Sequence, residues 1–564
     1  MHTIQGIDYV VLSLYMALLA GVGIFYAGHM KELADYFAGG REIPWWVAGL
    51  SMYMSSFSAS AFVAYAGVAY QHGLEAATLL WLVAPACILG AFLFAHLWRR
   101  VGIVSPVEFL EARYSPVVRQ SIVWTNLLPF LIEDGVRIYA TGIFLHDAMG
   151  LSLSFSIVLV SLVMLFYTFL GGVWAVSVAD VIQFAVLSSA LLILFPLSLR
   201  AVGGFSSLVQ HSPPGFFHLT NSVTPFYLIT FFLLFFVSYN TRWSLVQRFY
   251  CVRTEKDARK LGLLTGSFYI FGTLLWILPV IASRQILPHL ANPDFAFAAL
   301  AIKILPPGVM GLLLAAILSA TMGSVAAEYN VIVSVLTQDL YLRYLNRQAT
   351  AQQAMKVGKF LTIAVGLFTM GIALLINYSQ TSVFNLMIKV LAVSLGATGI
   401  PVLMGLVYRK ATTGSAIAAI LSGISTVGLF ELLLRPMIFA QWAAKPFWAI
   451  STFFYILVPF LVILVWPYLR PPGDEEAKRI AAFYECLDRP SERPKKVTSG
   501  MPSPMFIIGI NVCAIGCILF LVVPFIKASY DFWLCSIIAA LLVAVGLAMY
   551  LRSRMLIRMI KSGQ

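Results

Sequence analysis

Along the apolar stretch GLLLAAILSATMGSVAAEYNVIVSVLTQDLY, Gly311 to Tyr341, small and hydroxyl-bearing residues recur around a single acid. With a rise of about 1.5 Å per residue, Ala320, Ser324 and Glu328 fall near one face of a helix, and Gly323 and Thr321 flank it. Gly, Ala, Ser and Thr at such spacing let helices pack closely in a bilayer, which accounts for the small residues but not for Glu328. An ionisable side chain in hydrocarbon is costly and marks a pathway or a partner. Two further stretches carry groups able to hold a cation or a polar solute. SMYMSSFSASAF places Ser51, Ser55, Ser56, Ser58 and Ser60 within one apolar span, and SYNTRW, Ser238 to Trp243, interrupts another. A helix broken at such places frees carbonyls that coordinate a cation and half-helix ends that face a substrate.

Positioning these groups requires a bilayer. The chain has 564 residues, 60% of them hydrophobic, and a mean hydropathy of +0.89, more apolar side chain than a soluble fold can bury. An all-α polytopic protein, multi-pass in the cell (inner) membrane, is expected. The net charge of +13 comes from Lys and Arg gathered in short loops, a positive-inside bias rather than a nucleic-acid surface. The six cysteines lack metal-ligand spacing and read as packing residues. The first apolar span, Ile7 to Tyr26, is long enough to cross and lacks a basic leader, so it reads as a span and not as a cleaved signal. No nucleophile with a base and no nucleotide loop appears, which argues against an enzyme.

Hydropathy marks about fifteen spans, among them 7–27, 45–70, 226–247 and 306–341. With the N-terminus outside, about 27 Lys and Arg fall in cytoplasmic segments and about 6 in external ones, so the C-terminus is inside. The two interrupted spans are the second and the seventh. Five spans apart, they suggest two inverted repeats of five helices, each beginning with a helix broken at the midplane. The expected divisions are a leading helix and cytoplasmic loop (1–44), an inverted-repeat core (45–407), accessory helices (408–470), a Pro-rich cytoplasmic linker around a short helix (471–502) and a C-terminal helix pair (503–564). Lys303, Arg200, Lys445, Lys527 and Lys389, near span ends, read as snorkelling side chains.

Five motifs in order give the chain a likeness. They are DYFAGGREIPWW (35–46), GGVWAVSVADVIQ (171–183), VQRFYCVRTEKDARK (246–260), the stretch ending TQDLY (337–341) and GLVYRKATTGSA (405–416). Over residues 1 to 450 or so the sequence resembles the sodium/solute symporter family, which includes sodium/glucose, proline and iodide carriers and has a LeuT-type core.

The resemblance implies a sodium ion between the break in the first core helix and the eighth core helix. Matched residue by residue, its ligands are Met54 and Phe57, through their carbonyls, with Ala320, Gly323 and Ser324. Gly323 departs from the pattern, because relatives carry two adjacent hydroxyl residues there; a weakened site follows unless water, Thr321 or an acid fills the gap. Asp180 matches an acid near the ion path, with a helix N-cap as its alternative. The solute position implied by the family falls at Ser56, Ser60, Glu133, Arg137, Ser238, Tyr239 and Arg242. Relatives use neutral polar side chains where this chain has IEDGVRIY and Arg242–Trp243. A cluster of Glu133, Asp134, Arg137, Arg242 and Glu328 suits an acid or zwitterion, since Arg matches a carboxylate with two parallel hydrogen bonds. It also suits a buried ion-pair network, and Glu328 also a proton or ion relay.

The function expected is sodium-coupled symport of a small polar solute, carboxylate-bearing or sugar-like, by alternating access, with no organic cofactor and one chain as the transport unit. The alternatives are proton-coupled or ion-independent transport, or a non-transporting sensor on the same scaffold.

Overall fold

The computed structural model describes residues 5–27, 41–102, 106–168, 173–378, 382–439, 441–491 and 504–561. Residues 28–40, with the first part of the DYFAGGREIPWW motif, the linker residues 492–502 and the side chains of Gln338 and Asp339 lie outside the description. Among the described residues the regular structure is helical, apart from one backbone bridge between Ile43 and Val252. That follows from the solvent. In hydrocarbon a peptide group must find its partner within its own segment, and only a helix provides this for an isolated span.

Among the described residues eleven helices are long and apolar enough to cross a membrane, and three further pairs qualify when joined across a bend. The leading helix α1 (Gly6–Ala27) lies against the central helix that carries Glu328. The first bent pair is α2 (Trp45–Ser56) with α3 (Ala59–His72), turned by 61° at Phe57–Ser58. After the short helix α4 (Pro106–Arg113) come α5 (Pro116–Met149) and α6 (Leu153–Thr168), a hairpin bent by 119° at Gly150. Gly150 ends α5 with φ of +67°, a left-handed cap that suits glycine. Helix α7 (Val173–Ala201) carries Asp180. The third bent pair, α8 (Pro225–Thr241) with α9 (Trp243–Tyr250), turns by 52° with Arg242 as the hinge residue. Both breaks fall where the serine run and the SYNTRW interruption place them.

Helix α10 (Glu255–Ile286) packs against α2. Helix α11 (Val309–Val335) runs through the centre, and 94% of its most apolar window is buried within the protein. Asp8 of α1 caps it: Asp8 Oδ1 accepts from the Gly308 and Gly311 amides at 2.6 and 2.8 Å, a carboxylate where the helix dipole favours one. A side chain at Gly311 would collide with the Asp8 backbone, so this helix approach requires glycine. Helices α12 (Ala351–Tyr378) and α13 (Val383–Val407) complete the packing around α5.

Within 471–502 the chain does more than link. Gly473 leads into α14 (Asp474–Asp488), whose Ile480, Tyr484 and Leu487 are buried. The Tyr484 hydroxyl donates to the Gly405 carbonyl at 3.0 Å, Arg409 pairs with Asp488 at 2.8 Å, and the Thr413 amide donates to Glu476 at 2.6 Å. Beneath it, Arg113 is fully buried and donates to the carbonyls of Gly405, Tyr408 and Ala411. Helices α15 (Pro504–Val522) and α16 (Ser529–Lys561) form a closely packed pair. Several expected snorkelling residues have specific partners instead. Lys389 pairs with Glu431 at 2.7 Å, Lys445 with the buried Glu75 at 3.3 Å, Lys303 donates to the Ile286 carbonyl, and Arg200 lies over the Tyr530 ring.

Candidate functional site

The two helix breaks face each other. At the first, Phe57 and Ser58 are extended, so the last carbonyls of α2 lose their helical partners. The Met54 carbonyl accepts from the Phe57 amide at 3.0 Å and keeps a second lone pair. Thr321 of α11 docks on the break, its Oγ1 accepting from the Ala59 amide at 3.1 Å and standing 3.1 Å from the Thr141 hydroxyl. Thr321 belongs to the stretch of α11 that carries Ala320, Gly323 and Ser324, and the Ser324 hydroxyl donates to the Thr321 carbonyl while its lone pairs stay available. These carbonyl and hydroxyl oxygens are hard donors of the class that binds sodium.

Gly323 supplies no side-chain oxygen, but Asp180 comes close. A Cβ built on Gly323 would stand 3.6 Å from Asp180 Oδ1, with nothing nearer. The acid is eight residues into α7, which removes the N-cap alternative. Its Oδ2 accepts from Ser51 at 2.5 Å and lies 3.6 Å from an Arg248 Nη. Arg248 also donates to Ser51 and Ser55, each at 3.0 Å. Arg248 is the residue that reading the sequence passed over, although it stands inside the VQRFYCVRTEKDARK motif; an Arg at the end of a broken span was the available signal.

The predicted solute residues share one cavity. Ser56, Ser60, Glu133, Arg137, Ser238, Tyr239 and Arg242 line a central space of about 80 Å³, together with Phe57, Ser58, Tyr65 and Tyr269. Arg242 reaches it because the backbone is extended at the break (φ −66°, ψ 126°). The five charged side chains form one ion-pair network. Glu133 Oε1 bridges both guanidinia, at 2.9 Å from Arg137 and 2.7 Å from Arg242. Glu328 lies behind, 2.5 Å from Arg242 and 3.1 Å from Arg137, and Asp134 pairs with Arg137 at 2.9 Å. Asp134 is wholly buried, whereas the Glu133 side chain keeps 13% of its surface on the cavity side of the network. With both Arg residues engaged, any carboxylate entering must exchange with one already there. The most accessible is Glu133.

A larger cavity of about 510 Å³ lies farther along α3, lined by Gln71, His72, Glu75, Asn292, Asp294 and Asn385 among others. Tyr65 and Phe384, with ring centroids 5.4 Å apart, lie at the junction of the two spaces.

Known proteins resemble this arrangement. The model of the sodium:solute symporter family matches residues 36–423. A sodium/sialic acid symporter of Proteus mirabilis is 27% identical over 449 residues, covering 76% of this chain and 90% of that protein. A sodium/glucose cotransporter of Vibrio parahaemolyticus is 26% identical over 523 residues, covering 85% and 93%. Among solved structures, the substrate-bound outward-open state of a Na+-coupled sialic acid symporter has the same fold, with a TM-score of 0.69 and 23% identity over 83% of this chain and 99% of that one.

Proposed function

The chain belongs to the sodium:solute symporter family, and on that footing we propose that its central cavity carries a small carboxylate-bearing, sugar-like solute, driven by a sodium ion at the first helix break. Sodium-coupled symport of a small solute across a membrane is the family activity, and no enzymatic step is involved. The observation that carries the choice of solute is the Arg137–Arg242 pair bridged by the accessible Glu133 at the meeting point of the two breaks. An incoming carboxylate replaces Glu133 Oε1 between the guanidinia, where paired hydrogen bonds favour it. Glu133, once released, and the hydroxyls of Ser56, Ser58 and Ser60 then accept from the hydroxyls or ammonium of the solute. The sialic acid relatives support an acidic sugar as the first compound to try.

Coupling follows from the shared backbone. Met54 and Phe57 offer their carbonyls to the ion, while Ser56, Phe57 and Ser58 line the solute cavity. An ion holding the break in shape therefore pre-forms the pocket, and each ligand favours binding of the other. At about 80 Å³ the cavity is far below the roughly 300 to 1,000 Å³ of pockets that hold small organic ligands. Loading thus needs an opening, and the Tyr65–Phe384 pair toward the larger cavity is the gate. Met54, Phe57, Ala320 and Ser324 form the ion site with Asp180 beside Gly323, and Glu328 serves as relay. Every group invoked belongs to one chain, so the transport unit is a monomer, with its N-terminus outside and residues 471–502 in the cytoplasm.

Binding of sialic acid, uronic acids, neutral sugars and amino acids to the purified protein in sodium tests the reading. A carboxylate-bearing ligand is expected to bind, and Arg242→Gln to weaken it at least tenfold. Tight binding of a neutral sugar, unchanged in Arg242→Gln and Arg137→Gln, would overturn it.

A further inference from the structure

The network at the cavity does not balance. Arg137 and Arg242 supply two positive charges, and Glu133, Asp134 and Glu328 supply three carboxyls. All ionised, they leave one net negative charge in the middle of a membrane protein, where an uncompensated charge is costly. Asp134 Oδ2 has no hydrogen-bond partner, and Glu328 Oε2 makes no hydrogen bond beyond its ion-pair contact with Arg137 Nη1. Asp134 is fully buried and Glu328 is 7% exposed. Both carboxyls converge on Arg137 Nη1, at 2.9 and 3.1 Å, and they lie within side-chain hydrogen-bonding reach of each other. An orphaned buried carboxylate oxygen forfeits its hydration without compensation.

We propose that Asp134 and Glu328 share one bound proton, making the floor of the cavity a proton-binding site built from a carboxylic acid–carboxylate pair. One proton taken from water forms an O–H bond on either oxygen, which donates to the other. It gives both oxygens a hydrogen bond at once and brings the network to neutrality without breaking an Arg pair. The groups facing the pair are Glu133 and Arg137 on α5, Arg242 at the α8–α9 break, and Tyr329 on α11, whose hydroxyl pairs with Thr369 of α12. Helix α12 otherwise presents apolar Ile372 and Ala373 against α5, and α3 offers only the hydroxyls of Ser60 and Tyr65 on the cavity side. Among these neighbours no third cation is therefore placed to do what the proton does.

A shared proton also sets how the cavity receives an anion. While the proton is bound, Glu328 holds the guanidinia less tightly and the network is neutral; once it leaves, the extra charge repels a carboxylate. Affinity for an anionic solute is then expected to fall by up to about tenfold per pH unit above the titration of the pair. This consequence rests on the carboxylate reading of the cavity, but the proton does not, so the decisive measurement uses no solute.

The experiment is infrared spectroscopy of the purified, solute-free protein in sodium-free buffer, titrated between about pH 6 and about pH 9. A carbonyl stretch of a protonated carboxyl is expected at the acid end, lost in both Asp134→Asn and Glu328→Gln. Glu328→Asp, which keeps the acid, shifts the band without abolishing it and covers the case in which the neutral variants do not fold. Carbon-13 labelling of Glu carboxyls should move the same band in the unmutated protein. A spectrum lacking such a band across the range, or a band untouched by both neutral variants and by the Glu label, overturns the proposal. If the band is present and the solute proves neutral, the proton site stands and only the carboxylate reading falls.

Discussion

At the scale of single residues, Gly323 has the clearest consequence. Carbonyls of Met54, Phe57 and Ala320 with Ser324 give about four oxygens, fewer than the six or so that a hard cation prefers. Apparent sodium affinity is therefore expected to be weak, on the order of tens of millimolar, at about 1 to 2 kcal/mol per missing ligand. The position has room, with Asp180 Oδ1 3.6 Å from the missing Cβ. Gly323→Ser should fold normally and tighten sodium dependence by about 5- to 30-fold, while Ser324→Ala should remove it. Sodium titrations of uptake in both variants check this, and a serine at 323 that leaves the dependence unchanged would place the ion elsewhere. Asp180 could be matched to an acid near the ion path from its motif alone. Its partner could not, because the Asp180–Arg248 pair joins residues 68 positions apart and nothing local in the sequence links them.

At the scale of elements, local chemistry made the two breaks readable. Serines crowd the first, and Asn and Arg interrupt an aromatic run at the second, and the chain bends at both, by 61° and 52°. The seven solute candidates gather at one cavity for the same reason: breaks at the midplane bring distant residues to the same depth. The role of segment 471–502 was less legible. Its ends read as linker, yet the apolar stripe Ile480, Tyr484 and Leu487 docks α14 under α4 and the end of α13. Docking depends on Arg113 and Gly405, which the helix meets only in three dimensions. Leu487→Ala removes a buried side chain worth about 2 to 5 kcal/mol. Cleavage within α14 by a protease should then accelerate at least about tenfold, with the membrane helices still protected. Equal cleavage rates in the variant and the parent protein would mean that the helix is not held by this contact.

At the scale of the whole molecule, composition placed the chain in a membrane and five ordered motifs placed it in a family, and the matched residues 36–423 cover both breaks and the whole central cavity. The choice between substrate contact and internal ion pairing for the charged cluster could not be made from residue types. Both uses need the same acids and arginines in the same places, and only distances show the guanidinia already engaged. The central claim is that one ion at the first break organises a cavity for one carboxylate-bearing solute, so that the sodium gradient drives the solute. Uptake into proteoliposomes against sodium concentration, at about pH 6 and about pH 8, addresses it most directly. Saturable uptake of an acidic solute that rises with an inward sodium gradient, and is lost in Ser324→Ala, is the predicted result. A flux indifferent to sodium, whether driven by a pH gradient alone or by neither ion, would contradict it.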